Sequence, residues 1–212
     1  MNKSTENLEV IANHIREIFT ARDGAREKAL PLCREIIRHS SNTIRAVHRQ
    51  EFPVAAEMLK TATGLLKNAQ QFTISSELAN SGYLRDAEKE FAEASILLAL
   101  VSGIALPTPE ELNVDPSSYL NGMAEAVGEL RRYLLDSIRK GDLSRGEELL
   151  DAMDDIYSVL VTVDFPDAIT GGLRRTTDMM RGVLEKTRSD LTLVIQQKNL
   201  ENRLDKYEGK TG

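Results

Sequence analysis

The sequence predicts an all-α protein of about seven helices, and three observations carry that reading. Apolar residues recur at three- and four-residue spacing through most of the 212-residue chain, which is the period of one helix face. There is no Trp, only 5 Phe and 5 Tyr, and no run in which β-branched and polar residues alternate, so nothing favours strand. Gly, Pro, Asn and Asp gather in short clusters between the periodic stretches, where helices stop and start. With 41% hydrophobic and 28% charged residues the chain can bury a core, and one domain over 1–212 suits its length.

The elements follow in order. Residues 7–21 form an amphipathic N-terminal helix with Leu8, Ile11, Ile15 and Ile18 on one side, and Asp23-Gly24 then suggests a break or kink. From Arg26 the spacing resumes through Leu30, Cys33, Ile37, Ser40, Ile44 and Val47, and Phe52-Pro53 ends it because the residue before a proline resists helix. A third helix is expected over 54–78, stopped by Asn80, Ser81 and Gly82, and a fourth over 83–101, closed by Ser102-Gly103. Three prolines make 107–118 a loop, with Ser117 or Ser118 as N-cap of a helix over 119–139. Gly141-Asp142 ends that helix. Residues 144–163 form the next, ahead of Phe165-Pro166, and a long final helix runs over 172–207 before a frayed tail at 208–212.

Composition also excludes some functions. A net charge of −6 argues against general duplex-DNA binding, although a local basic stripe can survive inside an acidic total. The single Cys33 excludes an intramolecular disulfide framework and reads as a small core residue in a reducing compartment. No basic segment followed by an apolar one opens the chain, and the longest apolar run, 96–106, is broken by Ser102-Gly103 and too short to span a bilayer. The expected location is cytoplasmic, with no membrane contact.

Two lines of arginine stand out. Arg34, Arg38, Arg45 and Arg49 share one helix face, with Ser41 and Asn42 among them, and Arg174, Arg181 and Arg188 repeat every seven residues on the last helix. Guanidinium groups in line suit phosphate oxygens, which they bind in bidentate fashion while always charged. The same spacing also suits a solvated face, with Glu35 and Glu185 as intrahelical partners, and both readings stay open. No aromatic residues are interleaved, so a base-stacking platform is absent from the pattern.

Two acidic sets are the other feature. Asp86, Glu90 and Glu93 project from one face, where like charges cost a helix about 0.2–0.5 kcal/mol per pair. Their line continues into Leu97 and a stretch, 96–100, that is apolar nearly all round and therefore buried. Glu125 and Glu129 form a second like-charged pair, pointing away from the stripe of Leu120, Met123, Val127, Leu130 and Leu134 and so, in a monomer, toward solvent. Gly122, Ala124, Ala126 and Gly128 surround them and permit close approach of a helix or ligand. If the two sets converge, Glu90, Glu93, Glu125 and Glu129 give four oxygen ligands for a hard cation, Mg²⁺ or Mn²⁺, that keeps waters for substrate and nucleophile. Two exposed acidic faces remain the alternative.

At these residues the sequence resembles the translin family, translin and translin-associated factor X. The resemblance rests on YLNGMAEAVGELRRYLLDSIRKGD over 119–142, REIIRHSSNTIRAVHR over 34–49, and IYSVLVTVDFPDAITGGLRRTTDMMRGVLEKTRSDL over 156–191. It covers most of the chain, from about Arg22 to Leu191, and the GELRR and FPDAI blocks fall in order at plausible separations. It implies seven helices per subunit and closed, barrel-like octamers that enclose single-stranded RNA.

The two branches of that family differ: one binds nucleic acid without a full catalytic set, while the factor X branch carries metal-binding carboxylates and cleaves RNA. EFAEA, Glu90 to Ala94, resembles the E-x-x-E element of the second branch and implies metal ligation by Glu90 and Glu93. Glu125 lies where that branch carries a third acid, usually aspartate. Glu129 matches a neighbouring acidic position, and Asp86 is supported by spacing only. In an enclosed oligomer the face of Glu125 and Glu129 would line a chamber, with the arginine lines holding the RNA backbone irrespective of sequence.

The expected function is thus a Mg²⁺-dependent endoribonuclease on single-stranded RNA, working as a homo-oligomer, with single-stranded DNA as a possible further ligand. A non-catalytic single-strand binder is the alternative. A di-iron bundle would need Glu-x-x-His on two helices, and Glu93 is followed three residues on by Ile96. No histidine pair is placed for catalysis, so His39 and His48 are expected to pack or to contact phosphate.

Overall fold

The computed structural model describes residues 5–72 and 82–208. Every regular element among them is helical: α1 (Leu8–His48), α2 (Phe52–Gln71), α3 (Gly82–Ser102), α4 (Pro109–Leu112), α5 (Pro116–Arg139), α6 (Gly146–Leu160), α7 (Asp167–Thr170) and α8 (Leu173–Glu208). The all-α expectation is met, with six long helices and two of a single turn. The expected helix end over 73–78, its stop at Asn80-Ser81, and the tail at 209–212 lie outside the described residues.

The largest departure is at the N-terminus, where two expected helices are one element of 41 residues. Gly24 does not break it: no neighbour lies within 4 Å of its Cβ position, so its effect is an intrinsic penalty of about 1 kcal/mol that a long helix tolerates. Pro31 also sits inside α1, on its exposed side. The core face is Ala29, Cys33, Ile36, Ser40, Thr43 and Val47, turned from the expected stripe so that Ile36 rather than Ile37 is fully covered.

Helix starts also differ from expectation. Asp115, not Ser117 or Ser118, caps α5: its carboxylate accepts the Ser117 amide at 2.9 Å, with Pro116 at the first helical position. The 107–118 loop contains α4, whose Thr108 and Glu111 form a reciprocal capping box. Gly141 ends α5 at φ +82, as its position suggests.

The helices pack in sequence order around α3 and α5. α1 lies against α2 and α3, α3 crosses α5, and α5 packs on α6 and α8. Two apolar clusters result, one holding Ile36, Leu66, Phe91 and Ile96, the other Leu130, Leu134, Met153, Leu160 and Leu191. α3 and α5 contribute to both, so their crossing is the centre of the fold. No helix of the described residues is long and apolar enough to cross a membrane.

Candidate functional site

The crossing of α3 and α5 is close because Gly122 has no side chain. A Cβ there would lie 2.6 Å from the Lys89 carbonyl oxygen and 2.9 Å from the Glu93 amide nitrogen. These two atoms stand in the i, i−4 relation of one helical hydrogen bond, so α5 rests directly on the α3 backbone. Ala92 and Ala126, both fully buried, keep the approach tight on either side.

That contact brings the acidic sets together. Glu90, Glu93 and Glu125 each offer a carboxylate oxygen, and these oxygens lie within 4.8 Å of one another. Glu93 is 8% exposed and heads the apolar stretch of α3. Burial, then the charges of Glu90, Glu125 and Glu129, push its carboxyl up to about 8. Glu90 is raised in the same direction, first by burial and then by Glu125 and Asp86, while Lys89 opposes the shift. Crowded, half-dry carboxylates of this kind want positive charge, and oxygen-only donors fit a hard divalent cation.

Glu125 and Glu129 do not point to open solvent, as a lone helix suggested. Lys89 Nζ donates to Glu125 at 2.9 Å and lies 3.9 Å from Glu90. His48 of α1 donates through Nε2 to Glu129 at 2.5 Å, and Arg132 stands 3.7 Å from the same oxygen. The His48 hydrogen bond, against the opposing effect of burial, holds the Glu129 carboxyl below the usual range. The two neighbouring glutamates are therefore pushed apart: Glu93 toward the protonated form, Glu129 firmly ionised. Asp86 is exposed at the edge, where it acts on Lys89 and Glu90 through charge alone.

His48 and Lys89 are the residues that sequence reasoning missed. His48 packs as expected, with a side chain 7% exposed and its ring beside Tyr133, and its Nε2 is in addition committed to Glu129. A signal existed: on α1 it continues the line of Arg34, Arg38, Ser41 and Arg45 at three-four spacing, but its partner lies 81 residues on. Replacing His48 by alanine should raise the Glu129 pKa and reduce stability by about 1–3 kcal/mol, the range for losing a buried charged hydrogen bond. A carboxyl-carbon NMR titration reads the first effect and thermal unfolding the second. An unchanged Glu129 titration would contradict the assignment.

The arginine lines are exposed, but most members have partners. Arg38 pairs with Glu35, Arg49 with Glu51 at 2.7 Å, Arg181 with Glu185 at 3.2 Å, and Arg188 with Asp154. Arg45 donates to the Asn42 side chain at 3.2 Å. Arg34 and Arg174 have no ion pair among the described residues. Arg174 borders a cleft of about 620 Å³ that also holds Asp164, Asp167 and Asp178. Surface pairs of this type contribute little and exchange readily, so pairing does not remove these side chains as anion contacts.

No family model matches the chain. An uncharacterised protein of Methanocaldococcus jannaschii is 30% identical over 201 residues, covering 92% of this chain and 88% of that one. The archaeal AfC3PO, solved in complex with duplex RNA, is 34% identical with a TM-score of 0.77, over 90% of this chain and 97% of that one. A further crystal structure of AfC3PO gives 32% and 0.78, over 90% and 98%. The fungal apo-NeC3PO, at 18% identity and a TM-score of 0.75 over 89% and 97%, shares the fold.

Fold and extent of match define a helical-bundle protein of the translin/C3PO type. The chain belongs to the translin family.

Proposed function

We propose that this protein binds RNA and cleaves it with the help of a divalent cation held by Glu90, Glu93 and Glu125, Mg²⁺ or Mn²⁺ being the natural choices. The observation that carries the reading is the convergence of those three carboxylates around a buried Glu93. A bound cation supplies stabilisation of charge on the phosphate oxygens during displacement. The chain's own residues do the rest. Glu93, once ionised, would hold the cation together with Glu90 and Glu125, and Glu129, kept ionised by His48, would stand beside the cluster as a further oxygen. Lys89, beside Glu125 and Glu90, would offer a positive charge to a substrate phosphate at the cluster.

RNA as the ligand is supported by the complex of the related AfC3PO with duplex RNA. Single-stranded RNA as the substrate follows from the family resemblance, and the exposed Arg34, Arg38, Arg45 and Arg49 line, with Arg174, Arg181 and Arg188, would hold the backbone. A homo-oligomer is supported by apolar side chains left bare: Leu8, Val10 and Phe19 on α1, and Leu193, Leu200 and Tyr207 on α8. Light scattering behind size exclusion tests the oligomer and whether it is an octamer.

Labelled single-stranded and duplex RNA, incubated with Mg²⁺, with chelator, and with the variant Glu90→Gln plus Glu93→Gln, test the activity. Cleavage is expected only with cation and wild-type protein, with a loss of at least about a hundredfold in the double variant. Activity that survives in the variant sinks the assignment. A second reading, a non-catalytic RNA binder, is favoured by one observation: Lys89 already places a positive charge against Glu125 and Glu90. RNA binding without cleavage, and with no Mn²⁺ uptake, would select that reading.

A further inference from the structure

A furrow between α5 and α8 runs past the acidic cluster, and its two ends differ in chemistry. One end is a cleft of about 460 Å³ where Arg85, Lys89 and Arg175 face Ser118, Asn121 and Thr176. Asp86 and Glu125 also border it, so three cations meet two carboxylates. The chain enters α8 here through Gly171 and Gly172, both at positive φ, and the partial positive charge of a 36-residue helix start adds to the cations. The other end, about 150 Å³, is walled by Ala124, Val127, Gly128, Met179, Met180 and Val183. Glu125, Thr176 and Met179 border both ends, and Glu125 is also a member of the carboxylate cluster.

The larger end falls within the range of about 300–1,000 Å³ usual for ligand pockets, and the smaller falls below it. The apolar end is therefore an annex, suited to one part of a ligand whose charged part sits among Lys89 and Arg175. Gly128 points the same way. A Cβ at Gly128 would meet nothing within 4 Å, so no packing demands a glycine there, although one inside a helix costs about 1 kcal/mol relative to alanine. Gly122, one and a half turns earlier, is explained by its contact with α3. Gly128 differs from the other open glycines in its place: it leaves the α5 backbone bare where that helix walls the furrow, so a ligand can approach closely.

We propose that this furrow seats one nucleotide of an RNA strand, with phosphate on Arg175 and Lys89 and the base against Met179 and Val183. The proposal rests on the RNA-processing reading and specifies where the strand lies relative to Glu125. Adaptable thioether and aliphatic side chains hold a base by its faces without reading its edge, so the seat is tolerant of sequence. Arg175 has no ion pair among the described residues and is available to phosphate.

Two probes test it, a labelled single-stranded RNA oligomer and adenosine monophosphate, the second followed by protein NMR shifts. Each is titrated into wild type, Gly128→Leu, Arg175→Glu and the control Gly64→Leu, where α2 offers an equally open glycine away from the furrow. Gly128→Leu and Arg175→Glu should each weaken the oligomer by about tenfold or more, with the control at wild-type affinity. Mn²⁺ affinity should stay at the wild-type level and the melting temperature at or above it in Gly128→Leu, which shows that cluster and fold are intact. Weakening of both probes supports a seat that also takes free nucleotide, and weakening of the oligomer alone supports a station on a strand. Wild-type affinity in both furrow variants overturns the proposal. If the Glu90→Gln plus Glu93→Gln protein still cleaves while Gly128→Leu fails to bind, the metal reading falls and the furrow stands. Wild-type protein that binds neither probe overturns both.

Discussion

Alanine at Gly122 is expected to destabilise the protein by roughly 2–4 kcal/mol, although alanine for glycine inside a helix ordinarily stabilises by about 0.5–1 kcal/mol. The added carbon would sit 2.6 Å from one backbone atom of α3 and 2.9 Å from another. Neither atom can swing aside as a side-chain tip could, so one helix must shift relative to the other. Because α3 and α5 serve both apolar clusters, the shift is felt through the whole core. It also separates Glu125 from Glu90 and Glu93, so Mn²⁺ affinity should fall together with stability.

The control is in the same helix. Gly128→Ala adds the same methyl group where no atom lies within 4 Å and should raise stability by the ordinary helix-propensity amount. Thermal melts at matched protein concentration separate the two signs, since 1 kcal/mol moves the midpoint by about 2–4 °C in a chain of this size. Equal or higher stability of Gly122→Ala would mean that the crossing is not limited by this contact.

The contrast between these glycines marks what the sequence could disclose. Apolar spacing and Gly141 make the helices and several of their ends readable, because those signals act within a few residues, whereas Pro116, which reads as loop, opens α5. The continuity of α1 is not readable: Asp23-Gly24 is a local stop signal, yet a glycine that costs about 1 kcal/mol does not end a helix of 41 residues. The acidic residues were legible as two sets, each within one helix. Their convergence depends on Gly122 meeting the backbone at Lys89 and Glu93, about thirty residues away, and no local pattern encodes that. For the same reason His48 and Lys89 went unnoticed as partners of Glu129 and Glu125. Gly122, Ala126 and Gly128 looked alike as small residues, yet two pack against α3 or the core and one faces open space.

Stability of the cation-free protein should fall as pH rises from about 4.5 to 8, and a divalent cation should abolish that fall. Glu93 supplies the reason. Its carboxyl is pushed from 4.5 up to about 8 in the folded chain, so between those values the native state holds a proton that the unfolded state has released. The native state then binds more protons than the unfolded one, and the slope of unfolding free energy against pH is negative. The distance from 4.5 to about 8 sets a ceiling of about 5 kcal/mol on this contribution. Glu88 and Glu90, also raised chiefly by burial, add in the same direction.

Glu129 acts oppositely, but in a different window. Its depressed carboxyl contributes stability that is complete above the ordinary value of 4.5 and is lost only as pH drops through the folded one. Between pH 5 and 8 the Glu93 contribution therefore stands clear. Bound Mn²⁺ or Mg²⁺ replaces the missing positive charge and favours the ionised form, so its stabilising effect should grow with pH over the same interval. Melting curves from pH 5 to 8, with chelator and with Mn²⁺, read both slopes. In Glu93→Gln the chelator slope should shrink to the part left by Glu88 and Glu90, and the response to Mn²⁺ should largely vanish. A slope identical to wild type, or an undiminished Mn²⁺ response, would remove Glu93 from the centre of the site.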